Sequence, residues 1–281
     1  MSAIVARYVA GAISAEIALM ELLIEHEDAA AVARIVADVP VLRDLCARHA
    51  SGADRVAAML RSGPDTSEPA ATVEAGIAHA RQLFDWSVQQ SEEASVALYS
   101  LGSAEVLDRA TAELVALYRA RGWLGAHRAV LQIGCGIGRL ERAFAPLVRE
   151  AHGIDVSPRM IDAARRRCAD LPNVTLAVTD GRDLTAYADA RFDLVHAIDT
   201  FPYLVQAGMP LVATHVQEIA RVLVPGGDLV IGNWSYRDDL ERDRAEVAQL
   251  ARLAGLDVIV AGERPLALWD GAMFHLRRPA R

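Results

Sequence analysis

No lysine occurs anywhere in the 281 residues, so all 29 cationic side chains are arginines. That absence excludes a lysine Schiff base, a pyridoxal phosphate enzyme of the usual kind and a Walker A phosphate loop, each of which needs a lysine amine. Cysteine is scarce: Cys46, Cys135 and Cys168 are far apart and odd in number. They build no disulfide framework or zinc knuckle and fit a reducing cytoplasm; no metal site is expected. An excess of positive charge is missing too. With a net charge of -8 and no cation cluster, the chain lacks the footprint of a nucleic-acid partner. Nor does the apolar start, MSAIVARYVAGAISAEIALMELLI, suit a membrane anchor or export signal, because Arg7, Glu16 and Glu21 interrupt it short of the ~18 residues a span requires. An amphipathic helix packed on the body is the expectation.

What is present, 53% hydrophobic and 23% charged residues, is the composition of a soluble globular protein. At this length roughly three quarters of the extended surface can be buried, enough for one large α/β domain and a smaller element. To about residue 62 the pattern reads as short helices, with Asp28 and Ser51 as N-caps and Pro40 opening another. SGPDTSEPAAT, residues 62–72, concentrates turn formers and reads as a linker. A helical stripe follows at Val73, Ile77, Ala80, Phe84 and Val88, then a second helix capped by Ser103. Beyond residue 127 the period changes. Strands are expected at 129–134, 150–155, 174–180, 192–197 and 227–233, with two more after a helix at 239–254. Strands alternating with helices imply a doubly wound, mostly parallel seven-stranded sheet of Rossmann-like α/β class.

The first strand of that sheet runs into VLQIGCGIGR, where Gly134, Gly136 and Gly138 alternate immediately before a helix. Such a loop lies at the topological switch point, where open α/β sheets bind ligands. Glycine there lets the backbone approach a partner closely. The spacing is GxGxG, not the GxGxxG that seats a pyrophosphate on a helix N-terminus, and it favours a nucleoside without one. Asp155 closes the second strand, placed to accept from both ribose hydroxyls or, alternatively, to cap the helix near Ser157.

These motifs, GCGIG, GIDVSPRM and VTDGRDL, resemble those of the class I methyltransferases that use S-adenosyl-L-methionine, in that family's order and over about residues 95–281. The resemblance implies that the backbone at Gly134, Gly136 and Gly138 touches the amino-acid arm of the cofactor, with Cys135 filling a small slot. It implies that Asp155 holds the ribose and that Val156 lies beside the adenine. Asp180 would accept from the adenine amino group, with Gly181 near the ring; a solvated loop aspartate is the alternative. Ala197 would line the cofactor by its backbone, and Tyr99 would close over it. One position departs from the family, which usually has an acid where this chain has Gln132; a neutral amide can still meet the cofactor's ammonium, without charge assistance.

Methyl transfer from a sulfonium needs an in-line nucleophile and, for many acceptors, a base. The stretch FDLVHAIDTFPYL supplies the candidates. Asp199 is the first choice for acceptor contact or base; His196 is either catalytic or a core histidine; Tyr203 either orients an acceptor or packs. Asn233, Trp234 and Tyr236 are read as the opposite wall, with Arg237 available to an acidic acceptor. His275 and Trp269 are read as structural. The whole therefore reads as a helical region, 1–94, serving as substrate lid or homodimer face, and a methyltransferase domain, 95–281, acting on a small molecule in the cytoplasm. Aminocarboxypropyl transfer from the same cofactor and a non-catalytic cofactor sensor stand as alternatives.

Overall fold

The computed structural model describes residues 2–64 and 70–280; positions 65–69 of the expected linker lie outside them. Its contacts group into two compact units, one of Met1–Asp65, Leu83–Ala116 and Leu266–Asp270, the other of Thr66–Gln82, Leu117–Pro265 and Gly271–Arg281. The boundary suggested at residue 95 falls inside the first unit. Composition does not mark the division, because two long helices run through it.

The helical unit contains α1 (Ala3–Val9), α2 (Ala15–His26), α3 (Ala29–Ile35), α4 (Pro40–Arg48) and α5 (Ala50–Ser62). It also takes the later part of α6 (Val73–Gln90), α7 (Glu92–Val96) and most of α8 (Ala104–Ala120). Side-chain caps set several starts. Ser14 accepts from the Ile17 amide at 3.1 Å, Asp28 from Ala30 and Ala31, and Ser103 from Val106 at 3.4 Å. Pro40 opens α4 as expected, but Ser51 caps nothing. His49 alone separates α4 from α5, so Ser51 already lies in the helix. Ile17, Leu22, Leu23, Leu42 and Val56 are fully buried as this unit's core.

The sheet unit holds β1 (Ala129–Ile133), α9 (Arg139–Phe144), β2 (Glu150–Asp155), α10 (Pro158–Arg167), β3 (Val174–Val178) and β4 (Phe192–Ile198). Then come α11 (Phe201–Ala207), α12 (Met209–Val222), β5 (Leu223–Gly232), α13 (Leu240–Ala254), β6 (Asp257–Glu263) and β7 (Met273–Arg277). The seven strands are ordered β3-β2-β1-β4-β5-β7-β6, parallel except for β7, which runs antiparallel to both neighbours. Every residue of β1 is buried, as expected of a strand covered on both faces. Strand order reverses between β1 and β4, so the glycine loop stands at the switch point. Gly76 of α6 lets that helix touch α11: a Cβ there would stand 2.4 Å from the Ala207 Cβ.

One buried ionic cluster ties the sheet together. Asp228 of β5 is 1% exposed and accepts from Arg128 at 3.1 Å, from His275 Nε2 at 2.9 Å and from Arg277 Nε at 2.9 Å. Burial alone would push this carboxyl up; the three donors outweigh it and hold it at about 2. His275 is thus structural, as its sequence position suggests. Among the described residues, no helix is long and apolar enough to cross a membrane.

Candidate functional site

Gly134, Gly136 and Gly138 have φ of +70°, +53° and +72°, so the loop alternates through left-handed conformations that a side chain resists. Two of them also meet protein. A Cβ on Gly134 would lie 2.2 Å from Thr200 Oγ1, and one on Gly138 would lie 2.9 Å from the Ala164 Cβ. The sequence shows that the backbone must approach something closely; at these two positions the partners include the segment after β4 and helix α10. The Gly134 and Cys135 amides both donate to the Ile154 carbonyl, at 2.8 and 3.0 Å, which folds the loop back on β2. Cys135 is buried, and desolvation with the nearby Glu141 carboxyl drives its thiol well above the usual range. Its side chain packs over Gly153, 2.8 Å from where a Cβ would stand, and the thiol stays protonated near neutral pH.

Asp155 braces this loop. Its Oδ2 accepts from the Gly136 amide and its Oδ1 from the Ser157 amide, both at 2.9 Å. Ser157 itself caps α10 by accepting from Met160 at 3.0 Å. Val156 and Gly181 come together: a Cβ on Gly181 would stand 2.7 Å from Val156 Cγ1 and 3.2 Å from Ile77 Cγ2. Asp180 is exposed beside them, accepting from the Arg182 amide at 3.0 Å. Tyr99 lies buried in the helical unit, in the short turn Leu98–Ser100. Gln132 is 4% exposed; its Nε2 donates to the Gly134 carbonyl at 3.5 Å, while its Oε1 is buried with no partner among the described residues.

A second group forms where β4 and β5 end. Asp199 and Asn233 both take left-handed backbone, with φ of +55° and +59°. Asn233 is pinned to Ala272 by two backbone-directed bonds and donates its Nδ2 to Asp199 Oδ1 at 2.7 Å. Tyr236 donates to the same oxygen at 3.2 Å, and its ring meets Tyr203 edge-on at 6.0 Å between centroids. Two donors on one oxygen suit a carboxylate. Tyr203 is pushed up to about 12 by burial and then by Asp199; Tyr236 is driven well above the tyrosine range by desolvation of its hydroxyl and by the same carboxylate. Both therefore stay phenols near neutral pH. Thr200, next to Asp199, is the residue that fills the space over Gly134, so the acidic group and the glycine loop adjoin through it.

Other candidates fall outside this group. His196 is 1% exposed inside β4, with its Nδ1 3.3 Å from the Tyr118 hydroxyl and rings of Tyr118 and Phe144 against it. Burial, aided by Arg139, pulls it down to about 3, so it stays neutral. Ala197 is fully buried. Trp234, expected in the substrate wall, is 1% exposed and stacks on Phe201 at 5.1 Å, with its Nε1 donating to Glu246. Arg237, expected to meet an acidic acceptor, is committed to Asp243 at 2.7 Å and Glu246 at 2.5 Å. Thr200 and the buried Glu141 are not among the residues expected from the sequence. Gly153, an isolated glycine inside a strand, was the available sign of close approach at the latter.

Gly134→Ala is expected to lose stability twice over, by about 1–2 kcal/mol for the left-handed backbone and about 1–3 kcal/mol for the collision with Thr200. Adding Thr200→Gly should recover only the second part. Urea titration of the two variants checks the split; full recovery by the double variant would remove the backbone argument.

With this geometry in place, the comparisons with known proteins bear directly on the same segment. A family model described as "Methyltransferase domain" matches residues 130–227, from inside β1 into β5. Over residues 130–227 the chain is thus similar to a methyltransferase domain. The chain is 36% identical over 115 residues to the 2-methyl-6-phytyl-1,4-hydroquinone methyltransferase of Synechocystis sp., covering 39% of this chain and 33% of that protein. It is 35% identical over 107 residues to the demethylmenaquinone methyltransferase of Tropheryma whipplei, covering 38% of this chain and 42% of the relative. The chain thus spans less than half the length of these curated relatives. Phosphoethanolamine N-methyltransferase 1 of Haemonchus contortus, solved with phosphoethanolamine and S-adenosylhomocysteine, shares the fold with a TM-score of 0.60 at 16% identity, over 74% of this chain and 50% of that one. Among the described residues no group of three or more His, Cys, Asp or Glu could hold a metal ion.

Proposed function

We propose that the chain is a methyltransferase that moves a methyl group from S-adenosylmethionine to a small-molecule acceptor by in-line displacement. The observation that carries this reading is Thr200, which packs on Gly134 and so sets Asp199 beside the glycine loop of the methyltransferase domain. The residues present suit the cofactor. Gln132 offers a buried acceptor without a donor among the described residues, which matches an ammonium group, and the glycines let the loop backbone come close to the amino-acid arm. Asp155 would hold the ribose, Val156 and Gly181 the adenine face, and Asp180 its amino group. When bound, S-adenosylmethionine supplies a methyl group made electrophilic by the positive sulfur.

The chain's own work is then positioning and proton handling. Asp199, aimed by Asn233 and Tyr236, contacts the acceptor and takes the proton it loses as the new bond forms. Tyr203 and Tyr236 set their ring edges and faces around the acceptor without ionising. One relative is named for a hydroquinone and another for demethylmenaquinone, so phenols and quinols are the first acceptors to try. The reading includes a cytoplasmic location, supported by three free buried cysteines, no nucleic-acid partner, supported by the net charge of -8, and a helical region that serves as substrate lid or homodimer face. Incubating the full chain with methyl-tritiated cofactor and a phenol, quinol and amine panel should give a labelled product. Tight cofactor binding with no transfer to any extract would instead favour a sensor.

A further inference from the structure

Gln132 of β1 is paired with His196 of β4 on one side and with Gly153 of β2 on the other. Residues paired in this way project to the same face of a sheet, on strands about 4.8 Å apart. Gly153 has no side chain, and the vacated space is filled from above. Glu141 Oε1 stands 2.7 Å from where its Cβ would be, next to the Cys135 Cβ at 2.8 Å. The carboxyl of α9 therefore lies over the strand adjoining Gln132, directly beneath the glycine loop. Glu141 is 2% exposed, and among the described residues both its oxygens, like Gln132 Oε1, are buried with no hydrogen-bond partner from any other residue. Three orphaned acceptors in one polar layer, beside a loop whose ligand carries an ammonium group, lack a donor of positive charge.

We propose that Glu141, together with Gln132, receives the ammonium group of the cofactor's amino-acid arm. This inference rests on the methyltransferase reading. A carboxyl is thus supplied from α9, one strand over from the neutral amide of Gln132, and Gly153 makes room for it.

The charges around Glu141 determine how such binding depends on pH. Glu141's own backbone amide and then Arg139, on the same helix, favour the carboxylate; Asp155 on β2 opposes it, and the thiols of Cys135 and Cys168 face it from the loop and the end of α10. Burial dominates and pushes Glu141 up to about 8 in the free protein. The carboxyl is then protonated at pH 7, and an arriving ammonium displaces that proton. Affinity for a ligand carrying the arm should rise about tenfold per pH unit below 8 and level off above it.

Calorimetry at pH 7 in buffers of different ionisation enthalpy tests this with two ligands, S-adenosylhomocysteine and 5′-methylthioadenosine, which lacks the arm. S-adenosylhomocysteine should release about 0.9 proton from the wild-type protein, and methylthioadenosine none. Glu141→Gln should release none with either, bind S-adenosylhomocysteine about tenfold more weakly with no pH slope, and bind methylthioadenosine unchanged. Its fold is checked by thermal melting, which should be higher than wild type at pH 8. A carboxyl with a raised folded value costs stability as pH climbs from the unfolded value to the folded one, and glutamine removes that cost. S-adenosylhomocysteine bound without proton release, or held equally by Glu141→Gln with the same pH slope, overturns the inference while leaving the cofactor reading intact. Failure of both ligands to bind overturns both.

Discussion

Replacing Asp199 with asparagine is expected to slow methyl transfer by about 100- to 10,000-fold, the usual worth of a positioned general base. The substitution keeps an oxygen where Asn233 and Tyr236 donate, at 2.7 and 3.2 Å, so the left-handed turn and its contacts survive. What disappears is the capacity to take a proton. Cofactor binding should therefore stay within about twofold, and the loss should fall on kcat more than on KM. Neither neighbouring phenol can substitute, because both are held well above neutrality. A rate within about fivefold of wild type, measured with an acceptor that must lose a proton, would remove Asp199 from the base's role.

Asp228→Ala is expected to cost about 3–5 kcal/mol, the loss that follows when one partner of a buried ionic cluster is removed and the others stay behind. It strips the common partner from Arg128, His275 and Arg277, leaving the two most buried of them, Arg128 and His275, with cationic or polar groups turned inward. The midpoint of thermal unfolding should fall by about 10 °C. Wild-type stability carries the matching pH signature. A carboxyl held at about 2 in the fold contributes fully above its ordinary value, and the contribution is lost as pH falls through about 2. Thermal scans at pH 7 and at about pH 2.5 check both statements; an unchanged midpoint for the alanine variant would show that the cluster adds nothing to the sheet.

Local signals made the sheet legible. Alternating glycines after an apolar run marked the end of β1, and Asp155 marked the end of β2, because short parallel strands must be nearly continuous runs of apolar residues closed by turn formers. Three features were hidden for definite reasons. FPYLVQA, for which no element is expected beyond the strand at 192–197, folds as α11 and packs closely against α6 where Gly76 meets Ala207. β5 begins at Leu223, before Pro225-Gly226-Gly227, which reads as a turn; an irregular register opposite Phe192 and Leu194 accommodates it. Trp234 looked available to substrate because it follows a strand, but Phe201 and Phe274 enclose it, and contacts so distant in sequence leave no local trace. Asp199 was a candidate from its position, while its contact with Asn233 depends on backbone angles that no spacing reveals.

Whether the glycine loop and Asp155 grip a nucleoside at all is decided by titrating the full-length chain with S-adenosylhomocysteine in a calorimeter. Saturable binding at a single site is expected, weakened at least about tenfold by Asp155→Ala, which removes both the ribose acceptor and the brace on the Gly136 amide. No heat at millimolar ligand, or equal affinity in the alanine variant, would contradict it.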